Sequence, residues 1–271
     1  MYWTEKMFIE HGDIFLKFID DEARFQKEFE ALQRIFSEKR VSVGGNVLDL
    51  CCGSGTQALN LAKKGFNVTG VDFSPIAIKK ARESAENMSL KGHVEFLVGD
   101  ARRVSKLLEK KKSFNAIISM GTSIGYYDDE TDKSIVKQLN KLASSIGVLV
   151  IDVGNRDYII KHGESLGIME FDDYEVHDHR RLNLDESHAE STWEFYKKDG
   201  EDLKHVVTVS SNIRLYSLHE LVRLFETTGW EYCNSYGNFD MEPVTIDSKR
   251  IIIIGKKGAN AVEKTKIGKG V

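Results

Sequence analysis

The chain has 271 residues, 41% hydrophobic and 30% charged, with only 2 Pro. This composition supports a packed core and excludes wholesale disorder. Its formal net charge of −4 gives no overall attraction to nucleic acid, so any such contact would need a local basic patch.

The cysteines, Cys51, Cys52 and Cys233, are odd in number and two are adjacent. They fit neither a disulfide framework nor the CxxC spacing of a zinc site, and read as reduced thiols. No apolar run reaches the roughly 18 residues that span a bilayer. The opening "MYWTEKMFIEHGD" carries acids and lacks the apolar stretch of a signal peptide. A soluble, cytoplasmic protein with no membrane partner is expected.

In chain order, "DDEARFQKEFEALQRIF" places Phe25, Phe29, Leu32 and Phe36 on one face of an amphipathic helix whose opening acids suit its positive end. Strand-like and helix-like runs then alternate. "NVLDLCC" precedes the helical "TQALNLAKK", and "NVTGVD" precedes "SPIAIKKARESAENM", with Ser74 as N-cap and Pro75 at the first helical position. "VEFLVGD", "FNAIISM" and "GVLVIDV" are further strands, with "DDETDKSIVKQLNKLASSI" as the helix between the last two. Such alternation implies a parallel sheet covered on both faces, with ligands at the loops leaving its strands.

The texture changes after Ile168. "IMEFDDYEVHDHRRLNL", "HAESTWEFYKK" and "LKHVVTVSSNIRLY" read as a three-stranded antiparallel meander separated by "DES" and "DGED". The helix "SLHELVRLFETTG" and the strands "WEYCNSYG" and "RIIIIGKK" follow, the last reached by a hairpin-like connection. The expected organisation is an N-terminal helical segment over 1–40 that closes the ligand site and a core over 41–167 and 214–257. An inserted β cap or substrate lid over 168–213 and a mobile basic tail over 258–271 complete it.

The stretch "VLDLCCGSGTQALNLA" carries the chemistry. "GSGTQA" fits the loose GxGxxG/A pattern of dinucleotide sites, and Asp72 follows at the distance of a ribose-binding acid. Glycine is needed wherever backbone passes close to any nucleotide, so the pattern specifies a nucleoside-like ligand with ribose on Asp72 and leaves the cofactor open. Asp49, just before the turn, suits a positively charged ligand group and is an awkward neighbour for a pyrophosphate. Asp100 and the Ala101 amide, at the end of the third strand, supply an acceptor and a donor for an adenine edge. The lesser alternative makes Asp49 and Asp100 strand-end acids capping a neighbouring loop.

These motifs together resemble the class I S-adenosylmethionine-dependent methyltransferases. The likeness lies in "VLDLCCGSG", "VTGVDFSP" and "VEFLVGDAR" in that order, and continues through "FNAIISMGTSIGYY", "VIDVGNRDYI" and "RLYSLHELVRLFETTGWEYCNSYGNFD". It is greatest to the bacterial and archaeal branch with a β-rich cap and small-molecule substrates. The resemblance implies a Rossmann-like α/β fold with a seven-stranded, mostly parallel sheet whose last strand is antiparallel. It implies S-adenosyl-L-methionine as cofactor and S-adenosyl-L-homocysteine as product. Gly53 and Gly55 then approach the methionine and ribose, Asp72 holds the ribose, Phe73 lies against the adenine, and Asp100 with Ala101 reads its edge. Cys51 stands where family members often carry glycine, a position that accepts small residues. The loop "SMGTSIGYY", opening with Ser119 and Met120, faces the methyl group.

For the acceptor, the loop lacks the Asp/Asn-Pro-Pro-aromatic signature of enzymes that methylate nucleic-acid bases, which with the acidic charge argues against nucleic acid. Tyr126 and Tyr127 are candidates for the substrate wall, and Arg156 for a substrate carboxylate or phosphate. Glu175, His177, His179 and Arg181 share one face of the first cap strand. That face either closes over the substrate, with His177 or His179 as base, or is a solvated outer face. Two histidines without a third ligand do not make a metal site. A small-molecule N- or O-methyltransferase is the leading expectation, and an RNA or protein methyltransferase the alternative. A nucleotide sensor without turnover is a further reading. An NAD-dependent dehydrogenase is disfavoured, because the YxxxK pattern at Tyr2–Lys6 precedes the first strand.

Overall fold

The computed structural model describes residues 2–110, 113–163 and 166–258. The tail expected to be mobile falls, from residue 259 onward, outside the described residues. The chain opens with α1 (Trp3–Glu5), a π-helical turn (Lys6–Glu10), α2 (Gly12–Phe18) and α3 (Glu22–Glu38). Asp21 caps α3 by accepting the Arg24 amide, and the helix buries Phe29, Leu32, Ile35 and Phe36 against the sheet.

Three strand–helix units follow: β1 (Asn46–Leu50) with α4 (Thr56–Lys63), β2 (Asn67–Asp72) with α5 (Pro75–Glu86), and β3 (Val94–Val98) with α6 (Val104–Leu107). Ser74 caps α5 through the Ala77 amide, with Pro75 entering at the start of the helix, where a missing N–H costs nothing. Then come β4 (Phe114–Ser119), α7 (Asp129–Leu142), β5 (Ala143–Gly154) and α8 (Arg156–His162). The sequence pattern carries α7 on to Ile146. The chain instead turns extended at Ala143 (φ −71°, ψ 145°), where Ala143 pairs with Phe114 and two serines weaken further helix.

An antiparallel sheet follows: β6 (Leu166–Phe171), β7 (Tyr174–Asn183), β8 (His188–Asp199) and β9 (Asp202–Arg214). It has four strands where the sequence suggested three. Residues 168–184 do not run straight: they fold back at Asp172, whose φ of 46° lets Phe171 pair with Tyr174. Aspartate tolerates this left-handed conformation better than most residues, and the two adjacent acids mark the turn. The chain closes with α9 (Leu218–Thr227), β10 (Trp230–Tyr236) and β11 (Arg250–Lys257).

The main sheet has seven strands in the order β10-β11-β5-β4-β1-β2-β3. β11 runs antiparallel to both neighbours, β5 and β10, while β3, β2, β1, β4 and β5 are mutually parallel. Strands covered on both faces read as continuous apolar runs, as in "RIIIIG", where Ile251 to Ile254 are all buried. The order reverses between β1 and β4, and the crevice there opens at the strands' C-terminal ends.

The N-terminal helices bridge the two sheets. Met7 packs with Val176, Phe195, Val207 and Val209 of the antiparallel sheet, and the Phe18 ring centroid lies 5.5 Å from Phe171 and 5.8 Å from Phe195. Lys6 Nζ donates to the Thr208 carbonyl at 2.8 Å. The same segment turns Phe8, Phe15, Leu16 and Ile19 towards the crevice.

Candidate cofactor site

An open cleft of about 1240 Å³, counted out to the solvent at its mouth, occupies that crevice. Its floor is the turn after β1. Cys51 adopts φ 60°, a left-handed conformation that a side chain disfavours, and its amide donates to the Val71 carbonyl at 2.7 Å. Gly53 also has positive φ, 55°, and a Cβ built on it would meet nothing within 4 Å. A side chain there would project into open cleft, so the turn offers bare backbone to whatever lies above it.

Gly55 does not share this role. Its φ is 80°, but a Cβ would meet the Phe96 ring at 2.6 Å, and Gly55 is absent from the cleft lining. Glycine is required there by packing behind the turn.

Asp72 ends β2 with both carboxylate oxygens fixed: Oδ2 accepts the Gly53 amide and Oδ1 the Ser74 amide, each at 2.8 Å. Burial raises its pKa, while the donating amides of Ser74 and Gly53 pull it down. Asp72 and Phe73 form part of the cleft wall.

Asp100 and Ala101 line the same cleft. The Asp100 carboxylate accepts the Arg102 amide at 2.8 Å and its guanidinium at 2.7–3.0 Å, so it does cap its own loop. Burial opposes ionisation, but the Arg102 hydrogen bonds prevail and hold the carboxyl below the usual range. The Arg102 guanidinium in turn lies over the Tyr127 ring, 4.7 Å from its centroid.

Met120, Gly121 and Ser123, in the loop after β4, line the cleft along with Tyr126 and Tyr127. Tyr126 sits against Trp3 (5.0 Å between centroids) and Phe8 (5.7 Å), and burial, then the nearby Cys51 and Asp72, raises its phenol pKa. The loop is braced from below. Asp152 Oδ2 accepts the Gly121 amide at 2.9 Å, and the Arg250 guanidinium grips both Asp152 oxygens at 2.6 Å while reaching Thr122 Oγ1 at 3.0 Å.

The other proposed residues stand away from the cleft. Arg156 donates to Ser187 Oγ at 2.8 Å and ties α8 to the β7–β8 turn. On β7, Val176 and Asp178 point inward, buried, while His179 and Arg181 are exposed. His177 bonds Glu175 at 2.6 Å, His179 lies 3.3 Å from Glu194, and Arg181 lies 3.2 Å from Glu190. None of these four lines the cleft.

Among the cleft residues that escaped the sequence reading are Arg24, Glu28 and Gln57. Glu28 is 3% exposed on α3 and Asp49 3% exposed on β1. Gln57, from α4, donates to Glu28 Oε2 at 3.0 Å and to the Phe25 carbonyl at 3.0 Å. Burial, reinforced by Asp152, pushes Glu28 up to about 7; burial, reinforced by Asp72, pushes Asp49 up to about 8. The available signal was an acid three residues after Phe25 and four before Leu32, within an otherwise apolar helix face.

The order of strands, the glycine turn and the acid ending β2 now stand together. Residues 47–147 match the profile of a methyltransferase domain family. That match makes this segment of the chain a methyltransferase domain. S-adenosylmethionine is the cofactor of this family. The chain is 31% identical over 128 residues to a putative ribosomal RNA large subunit methyltransferase of Methanocaldococcus jannaschii, covering 46% of this chain and 32% of that protein. It spans less than half the length of the first curated relatives it matches.

The likeness in fold extends further than the sequence match. A S-adenosylmethionine-dependent methyltransferase from Clostridium acetobutylicum superposes with a TM-score of 0.76 at 19% identity, over 92% of this chain and 98% of that one. The sugar N-methyltransferase KedS8 from Streptoalloteichus superposes with a TM-score of 0.65 at 18% identity, over 87% and 88% of the two chains.

Proposed function

We propose that the whole chain is an S-adenosylmethionine-dependent methyltransferase acting on an N or O atom of a small-molecule acceptor. The observation that carries this reading is Asp72. Its carboxylate is locked by the Gly53 and Ser74 amides and faces a cleft floored by a glycine with open space above it. In this reading Asp72 receives the ribose hydroxyls and Gly53 lets the nucleoside lie on the backbone. Phe73 covers one adenine face, and Asp100 with the Ala101 amide meets its edge. Asp49 and Cys51 lie under the methionine portion, and Met120 borders the reacting end.

When bound, S-adenosylmethionine would supply an electrophilic methyl group on a positively charged sulfur. The protein's part is alignment and exclusion of water. Asp152 and Arg250 hold the loop from Met120 to Tyr126 in place, and Phe8, Phe15 and Tyr126 give the cleft a largely apolar upper wall. An amine acceptor needs only to arrive unprotonated, whereas a hydroxyl has to lose a proton.

The cover of N-terminal helices favours a small acceptor over a macromolecule. The sugar N-methyltransferase shares the fold over 87% of this chain, while the ribosomal RNA relative aligns over less than half of it.

Calorimetry with S-adenosylmethionine, S-adenosylhomocysteine and NAD, on wild type and Asp72→Ala, tests the cofactor roles. Saturable binding of the two sulfur nucleosides alone, weakened about tenfold or more by the substitution, is expected. Binding of NAD alone would overturn the reading. Transfer of labelled methyl to small amines and alcohols, and not to bulk RNA, is expected in a parallel acceptor screen.

A further inference from the structure

The loop from Gly121 to Tyr127 carries two tyrosines to the cleft, and its two halves are anchored separately. Asp152 and Arg250 hold the first half at Gly121 and Thr122. The second half meets a different set of residues, none of which lines the cleft. Ile124 is buried in the same apolar cluster as Ile135 and Tyr216. Gly125 adopts φ 105°, and its carbonyl accepts the Arg214 amide at 2.8 Å where β9 ends. A Cβ on Gly125 would meet the Arg214 carbonyl oxygen at 2.6 Å, so only glycine lets loop and strand approach this closely.

Beside Gly125 lies a buried polar pair. Asp132, fully buried on α7, accepts the hydroxyl of the buried Tyr216 on Oδ2 at 2.8 Å. Burial raises the Asp132 carboxyl to about 7, while the Tyr216 hydroxyl and then the Gly125 amide pull it down. The same acid thus answers both the loop and the tyrosine. Tyr216 is fixed from behind as well. Its backbone bridges to Asn155 after β5, and Asn155 Nδ2 donates to the Thr245 and Ser248 carbonyls at 3.0 and 2.8 Å. The Arg214 guanidinium lies 4.6 Å from the Tyr216 ring centroid and reaches Asp129 Oδ1 at 2.9 Å and Glu220 Oε1 at 2.6 Å.

An acid and a phenol in a core are no more stabilising than apolar side chains of the same shape, and what they add is a fixed geometry. The geometry fixed here is that of Gly125. The next residue is Tyr126, whose ring lines the cleft and packs against Trp3 and Phe8.

We infer that Asp132 and Tyr216 are positioning residues for methyl transfer: they fix Gly125, hold Tyr126 on the cleft wall through it, and tie that wall to the last strand of the antiparallel sheet. Neither residue touches the ligand; both act through the loop. The inference rests on the S-adenosylmethionine reading, because Tyr126 has to be placed against a ligand in the cleft. It extends that reading to a buried pair whose second member lies outside the segment matched by the methyltransferase family.

The test is a double-mutant cycle on S-adenosylhomocysteine binding, read by calorimetry, with thermal unfolding of every variant in parallel. Tyr216→Phe deletes one oxygen and should weaken binding about tenfold, since a released Tyr126 no longer presents a preorganised wall. In a Tyr126→Ala background the same substitution should change affinity by less than about twofold. Asp132→Ala repeats the measurement from the other partner should Tyr216→Phe fold poorly. Asp132→Asn, which keeps the shape and an acceptor for the Tyr216 hydroxyl, should recover most of the affinity that the alanine variant loses. A lower unfolding midpoint with unchanged affinity overturns the inference, because the pair then only stabilises the core. A loss that persists undiminished without the Tyr126 ring overturns it too, because the pair then acts by another route. Failure of wild type to bind S-adenosylhomocysteine overturns the cofactor reading and the inference with it.

Discussion

The two sheets treat charge in opposite ways. On the face of β7 that carries the histidines, the ionisable groups are paired with neighbours two residues away, diagonally across or directly across the ladder: His177 with Glu175, His179 with Glu194, Arg181 with Glu190. Each pair is at least partly open to solvent, where such contacts add little and call for no ligand. At the crevice of the parallel sheet, Glu28 and Asp49 are buried, and each keeps an oxygen without a hydrogen bond. Asp178 on the antiparallel sheet also keeps a bare oxygen, but it stands singly and its other oxygen is held by Arg180 at 2.7 Å. Charged side chains are abundant in both regions, and only their partnering separates surface from site.

Glycine provides the sharpest way to test this contrast. Gly53 in the crevice and Gly200 in the β8–β9 turn have nearly the same backbone conformation, φ 55° and 65°, and at both a Cβ would meet nothing within 4 Å. Replacing either with alanine therefore costs about 1 kcal/mol or somewhat more through left-handed strain alone. Only at Gly53 does the new methyl project into the cleft. We predict that Gly53→Ala weakens S-adenosylhomocysteine binding by about 100-fold, whereas Gly200→Ala leaves it unchanged, with similar losses of stability in thermal unfolding. Equal loss of binding in both would show that the effect is global softening and has nothing to do with close approach.

A smaller effect concerns pH. Asp49 and Glu28 have pKa values raised by burial, to about 8 and about 7, above those of an unfolded chain. The folded state therefore holds their protons more tightly, so the stability they contribute is greatest in acid and is lost as pH rises through about 7 and 8. Asp49→Asn keeps the shape and the acceptor for the Ala58 amide but cannot ionise. It should stabilise the ligand-free protein by about 1–2 kcal/mol at pH 8 and by less at pH 6, while weakening cofactor binding. Thermal unfolding across this range checks the sign. A variant less stable than wild type at pH 8 would mean that the Asp49 carboxylate is satisfied in a way the geometry does not reveal.

What could be read from the sequence follows from the range of the physics involved. The glycine turn, the Ser74–Pro75 helix start and the acid at the end of β2 are local patterns, and the parallel sheet follows from strand–helix alternation. The fourth cap strand was missed because Asp172–Asp173 resembles ordinary strand-flanking polarity until Asp172 is seen at positive φ. Glu28 was missed for a different reason. An acid on a helix is normally solvated, and only the packing of α3 on α4, which places Gln57 against it, turns it inward. Conversely, the HxH pattern of β7 drew attention because histidine is versatile. A two-residue period reveals which residues share a face without revealing which face is covered.

The smallest predicted effect decides that last point. If the His177, His179 and Arg181 face is solvent-facing, as the exposure of His179 and Arg181 and the burial of Val176 and Asp178 indicate, nothing in the cleft depends on it. The double variant His179→Ala/Arg181→Ala removes partners of Glu194 and Glu190, both of which can be rehydrated. We predict a stability change within about 0.5 kcal/mol and unaltered affinity for S-adenosylhomocysteine, because exposed ion pairs contribute roughly that much or less. Methyl transfer, once an acceptor is found, should likewise be unchanged. If turnover fell while cofactor affinity held, this face would have to turn towards substrate during the reaction. The hinge would then lie where the N-terminal helices meet both sheets, at Phe18 and its aromatic neighbours Phe171 and Phe195, since those contacts tie the cap to the cleft wall.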